Sequence, residues 1–238
     1  AAQGDLGMSY SAKKPVVDRM LEALPGTLAL AGTALVFTII YALPAGILSA
    51  YNRNKWIDYV LRSLSFIGVS MPSFWLGLVL IYIFGLKLGL VPIASSRVTP
   101  IGVILPAVTL AVVVGSKYMR QVRLVILEEM QKDYVIGARA RGVSEMKILF
   151  GHILPNAVLP LITILGVLIG WLLGGVAVVE MVFSWPGLGN MAVYAITMRD
   201  YPLIEGFVLW VAIAYMCVNA LVDASYVLLD PRLKRERA

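Results

Sequence analysis

Five long stretches without a single Asp, Glu, Lys or Arg limit what this chain can fold into. They hold 30 residues between Glu22 and Arg53, 24 between Arg62 and Lys87, 19 between Arg97 and Lys117, 32 between Lys147 and Glu180, and 17 between Glu205 and Asp223. A bilayer core offers backbone groups no hydrogen-bond partner, so a spanning helix needs about 20 mainly apolar residues. Each stretch can hold one helix, and the expected spans are 24–50, 63–86, 99–118, 157–179 and 206–228. Composition agrees: 60% of the 238 residues are hydrophobic and only 14% are charged. That excludes intrinsic disorder and argues against a soluble globule, in which about a quarter of residues are charged. A sixth charge-free stretch, Met181–Met198, is not expected to span, because Ser184-Trp185-Pro186-Gly187-Leu188-Gly189-Asn190 breaks it. A loop and a short interfacial helix are expected there, with Trp185 and Tyr194 at headgroup depth.

Lys and Arg gather in cytoplasmic loops. Segments 51–62, 117–155 and 229–238 hold 14 of the 20 basic residues, and the opposite side holds 6. This places the C-terminus in the cytoplasm and residue 1 outside, which predicts a further spanning helix ahead of the chain. Val16, Val17, Met20, Leu21 and Leu24 recur at helical spacing and predict an amphipathic helix lying on the membrane within an external segment, 1–23. The rest divides into a spanning domain, 24–229, and a basic tail, 230–238.

The cytoplasmic loop 119–155 is too polar to span and too patterned for a linker. Residues 119–130 read as a helix extending from the preceding span. Asp133-Tyr134-Val135 and Ala138-Arg139-Ala140-Arg141 follow, and Gly142 closes the run as a helix stop. Beyond Val143, Ser144 with Glu145 can start a second short helix, Glu145–Gly151, ahead of His152 and Pro155. On the residues alone, a docking knob and a solvated loop that only sets topology are equally open.

Ala138-Arg139-Ala140-Arg141-Gly142, then nine residues, then His152-Ile153-Leu154-Pro155 resembles the EAA signature of the inner-membrane permeases of binding-protein-dependent ABC importers. With Asp133-Tyr134-Val135, Asn156-Ala157 and Pro160 it is similar to the dipeptide, oligopeptide and nickel branch. Further matches follow in order: Gly4-Asp5-Leu6-Gly7 with Ser9; Ser70-Met71-Pro72; Glu180 with Pro186-Gly187-Leu188-Gly189; Arg199-Asp200-Tyr201-Pro202; Asn219 with Asp223; and Asp230-Pro231-Arg232. The Glu of the general EAA motif is absent, with Ile136-Gly137 in its region. The resemblance implies an all-α polytopic fold, a type I importer-like transmembrane domain with six spans, five of them here. It also implies that the loop is a coupling helix seated on an ATP-hydrolysing subunit, carried by Asp133, Tyr134, Ala138–Ser144, His152 and Pro155. The partners it implies are a homologous second permease, two ATP-binding subunits and an external solute-binding protein, with no nucleic acid. Substrates would be short peptides, or nickel or another metal chelate.

No Gly-Lys pair occurs, so the phosphate-binding Gly-x4-Gly-Lys-Ser/Thr loop cannot form, and ATP and magnesium are expected on other subunits. No catalytic constellation and no resident metal site is expected. Cys217 reads as packed within an apolar helix, and Glu128-Glu129 as a solvated helix face. Asp223, the acid well inside a span, shares a face with Tyr215 and Asn219, and that stripe is expected to face the bundle interior. Glu180 is expected at the outer end of its span, lining the mouth or accepting from a loop amide. Pro44, Pro72 and Pro106 are expected to kink spans. The rival readings are an ion-coupled secondary transporter, which predicts acids near mid-span and inverted repeats, and a membrane scaffold, which needs no shaped knob.

Overall fold

The computed structural model describes residues 6–229. Gly4-Asp5, Asp230-Pro231-Arg232 and the basic tail therefore lie outside the described residues. The described elements are helices: α1 Val16–Tyr51, α2 Trp56–Ser70, α3 Ser73–Leu80 with a π-helical continuation Ile81–Lys87, α4 Ile104–Glu129, α5 Asp133–Ala140 and α6 Glu145–Ile148. A π-helical turn, Leu149–Ile153, leads into α7 Leu154–Gly175, followed by α8 Ala177–Val182, α9 Leu188–Thr197 and α10 Tyr201–Leu229. Among the described residues there is no strand, only a single bridge between Met8 and Pro15.

Among the described residues, three helices are long and apolar enough to cross a membrane: Val16–Tyr51, Glu145–Gly174 and Tyr201–Ser225. The expected span 63–86 is not one rod. It breaks at Met71-Pro72, and the pair Trp56–Ser70 and Ser73–Lys87 is bent by 100°. Pro72 removes a backbone donor and forces the residue before it out of the helical region. The expected span 99–118 is not among the three. Residues 99–103 form a turn, and Lys117 and Arg120 follow too soon after Ile104. Pro106 therefore sits in the first turn of α4, where it introduces no kink. No separate amphipathic helix precedes the first span either. The periodic residues from Val16 onward open α1, whose 36 residues make a rod of about 54 Å.

The chain divides into two compact units. Unit 1 comprises residues up to Phe37, Met71–Val113 and Ile169–Cys217. Its apolar centre is Val16, Leu188, Met191, Ala195 and Leu203, with Met20, Leu24, Phe207 and Trp210 packed around them. Helix α9 is thus a packed element and not a surface float. Trp185, expected at headgroup depth, is fully buried, and its indole Nε1 donates to the Gly26 carbonyl over 2.8 Å. A Cβ at Gly26 would lie 1.9 Å from the Pro186 oxygen, so only glycine allows this contact.

Unit 2 comprises Thr38–Ser70, Val114–Leu168 and the chain from Val218. In it, Ser65 Oγ donates to the Ser116 carbonyl over 2.7 Å, tying α2 to α4. The second short helix of the loop does not end at Gly151. Helix α6, the π-helical turn and α7 run on as one element past Pro155, because the wider turn leaves room for residues that cannot donate.

Candidate functional site

Between α5 and α6 the chain makes a tight corner. Gly142 N donates to the Arg139 carbonyl over 2.9 Å and Val143 N to the Ala138 carbonyl over 3.2 Å, closing the end of α5. Gly142 takes φ +78°, which glycine adopts without penalty. A Cβ there would meet nothing within 4 Å, so the requirement is conformational and not spatial. Ser144 occupies the position before α6, but its side chain makes no capping hydrogen bond.

Arg139 bridges the corner. Its Nε and Nη2 donate to the two carboxylate oxygens of Glu145 at 2.7 and 3.0 Å. Its guanidinium thus clamps α5 to α6. Arg141 is exposed and makes no ion pair among the described residues. Beneath the corner Val135, Ala138, Ile148, Leu149 and Ile153 are buried. Asp133, Ala140 and Ser144 face outward with the apolar Ile136, Met146 and Phe150, while Val143 is half-buried. His152 is half-buried, Pro155 is exposed, and Asn156 donates to the His152 carbonyl over 2.7 Å.

Glu129, expected on a solvated face, is buried instead. It accepts from Lys132 Nζ and, over 2.7 Å, from Tyr134 Oη. Burial first, and then the Glu129 carboxylate, push the Tyr134 phenol up to about 12. These bonds fix the start of α5 on the end of α4.

A second brace lay unread in the sequence. Asp58 is completely buried and accepts from Arg123 Nε and Nη2, both at 2.8 Å. Ser49 Oγ adds a bond of 2.6 Å and the Asn54 amide one of 3.0 Å. One carboxylate thus joins the end of α1, the start of α2 and α4. Its only sequence signal is a lone acid within the basic run Arg53, Lys55, Arg62.

In unit 1, Glu180 is fully buried and does not line a mouth. Thr27 Oγ1 and the Asn190 amide, in the first turn of α9, donate to it, each over 2.8 Å. Asp200 unites two motifs far apart in the chain. Ser9 Oγ, Ser11 Oγ and the Ser11 amide donate to its Oδ2 at 2.6, 2.7 and 2.9 Å. Burial opposes its charge, but these bonds prevail and hold the carboxyl below the usual range.

In the stripe Tyr215, Asn219, Asp223 the Tyr215 ring packs on α7, where a Cβ at Gly170 would lie 2.6 Å from it. Tyr215 and Asp223 are exposed and Asn219 is half-buried, whereas Ala214 and Val218 form the buried face of α10. Cys217 is likewise exposed.

Residues 42–235 match the family described as the inner membrane component of binding-protein-dependent transport systems. The glutathione transport system permease protein GsiC of Escherichia coli O6:H1 is 38% identical over 98% of this chain and 76% of its own length. The protein of the same name from Shigella dysenteriae serotype 1 is 37% identical over the same shares. Among solved structures, an inward-facing form of the MetNI methionine ABC transporter superposes with a TM-score of 0.73 at 22% identity, covering 89% of this chain and 96% of that one. An amino acid ABC transporter with histidines gives 0.65 at 17% identity, covering 87% and 92%. These two likenesses establish the fold as that of ABC importer permeases. The chain belongs to the family of binding-protein-dependent transport system inner membrane components.

Proposed function

We propose that this chain is one permease subunit of an ATP-driven importer for a short peptide of the glutathione class, working by alternating access. The observation that carries the reading is the rigid corner of α5 and α6. A part that transmits force must be braced to the spans and present a shaped face. The corner is clamped by Arg139 and Glu145, anchored through Glu129 and Tyr134, and continuous with α7. Its outward face offers Ile136, Met146 and Phe150 with the unpaired cation Arg141, which suits a groove with an acidic rim. In this reading the corner faces the cytoplasm and seats on one of two ATP-binding subunits, which hold ATP and magnesium. A second permease completes the path, and an external binding protein delivers the solute. ATP binding draws the ATPases together, the corner moves with them, and α7 transmits the displacement. The relatives carry the name of a glutathione system, which favours a peptide over nickel.

The test is uptake of labelled glutathione and ATPase activity in proteoliposomes holding the assembled complex. Gly142→Val forces a β-branched residue into the left-handed region, at about 1–2 kcal/mol. It should insert normally yet uncouple ATP hydrolysis from uptake. Unchanged coupled transport would overturn the role of the corner, and uptake of nickel but not of glutathione would overturn the substrate.

A further inference from the structure

A cleft of about 530 Å³ lies within unit 2, between the exposed face of α2 and the end of α4. Tyr59, Arg62, Phe66 and Ile67 line it from α2, and Arg120 and Leu124 from α4. No acid lines it, since Asp58 is buried behind the wall and already holds Arg123. Among the described residues, Arg62 and Arg120 make no ion pair.

The position of these arginines along their helices is informative. Arg62 is the last charge before the 24 charge-free residues that run to Lys87. Arg120 lies just beyond the charge-free stretch that ends at Lys117. The cleft therefore gathers two points at which a charged segment meets an apolar one, as at a boundary between membrane and water. At such a boundary the available anion is a lipid phosphate, and basic pockets between spanning helices take anionic headgroups. The walls continue the match: Phe66 is 66% exposed and Ile67 49%, on the side leading into the apolar stretch. A soluble anion would use the two arginines and leave this apolar wall in water.

We propose that this cleft is a binding site for an anionic phospholipid, with Arg62 and Arg120 on the phosphate and Phe66, Ile67 and Leu124 along the first part of an acyl chain. The site rests only on the chain lying in a bilayer, not on what it carries, so this proposal and the transport reading fail separately.

The test uses the assembled complex in nanodiscs of phosphatidylcholine alone or mixed with phosphatidylglycerol. Lipid retained after transfer to detergent is counted by native mass spectrometry. The wild type should keep phosphatidylglycerol over phosphatidylcholine. Each arginine should contribute about fivefold to that preference, and Arg62→Gln with Arg120→Gln together should remove it. If the double variant does not assemble, each single variant should show its own fivefold loss. Equal retention in variant and wild type would overturn the site. Inorganic phosphate displacing phosphatidylglycerol at millimolar concentration would overturn the lipid in favour of a free anion. Loss of subunit association with the lipid preference intact would show that the cleft is a protein contact, and would overturn the proposal equally.

Discussion

The two units bury their carboxylates by different means. In unit 1, Glu180 and Asp200 are held by hydroxyls and backbone amides, and among the described residues no cation pairs with either. In unit 2, Asp58 and Glu129 each have a cation, Arg123 and Lys132, supplemented by neutral donors. The difference teaches how each region tolerates change. A neutral cage fixes geometry through many short bonds and is indifferent to salt. An ion pair concentrates the energy in one partner, so removing that partner strands a buried charge.

That contrast should be clearest at Asp58. Asp58→Ala leaves Arg123 and Ser49 facing an empty acceptor and should cost about 3–5 kcal/mol, seen as a lower melting temperature in detergent. Combining it with Arg123→Leu should recover part of the loss, as expected for coupled partners. Equal losses in the single and double variants would erase the contrast. Glu180→Ala comes next. It leaves the Asn190 amide and Thr27 hydroxyl without their acceptor, at about 1–3 kcal/mol, and raising salt should not change that figure.

Asp200 sharpens the comparison through pH. Its folded-state carboxyl sits below the ordinary value, so its stabilising contribution is present above the unfolded pKa of about 4. That contribution fades as pH falls from about 5 through the folded value. Melting temperature followed from pH 7 to 3 should drop, and the drop should shrink in Asp200→Asn. The smallest effect belongs to Arg139→Gln. The pair with Glu145 is well exposed and should contribute within about 0.5 kcal/mol. Melting should barely move while coupled transport falls, which separates positioning from stability.

Charge-free length made the membrane class legible, and motif order made the family legible. Gly142 was readable because a helix stop is written locally, in one residue that tolerates positive φ. Asp58 was not, because its meaning depends on Arg123, 65 residues away. Glu129 was misread for a related reason: Tyr134 reaches back from the next helix to cover it. Trp185 was assigned from a general preference of tryptophan for interfaces, and the packing of one glycine, Gly26, overrides that preference. On α10 the polarity of a position does not track its burial, because close approach also drives packing in lipid and Ala214 and Val218 are buried there.

Asp200 closes against Ser9, 191 positions earlier. A ribosome adding about 5–20 residues each second needs roughly 10–40 s to travel that far. Throughout that interval the nascent Ser9–Ser11 turn has no acid to grip, and α1 waits in the bilayer without its clasp. Synthesis of the start of α10 is thus the earliest moment at which the Ser9–Ser11 turn can be locked, and a ribosome that stalls before it leaves an unlatched chain for proteases.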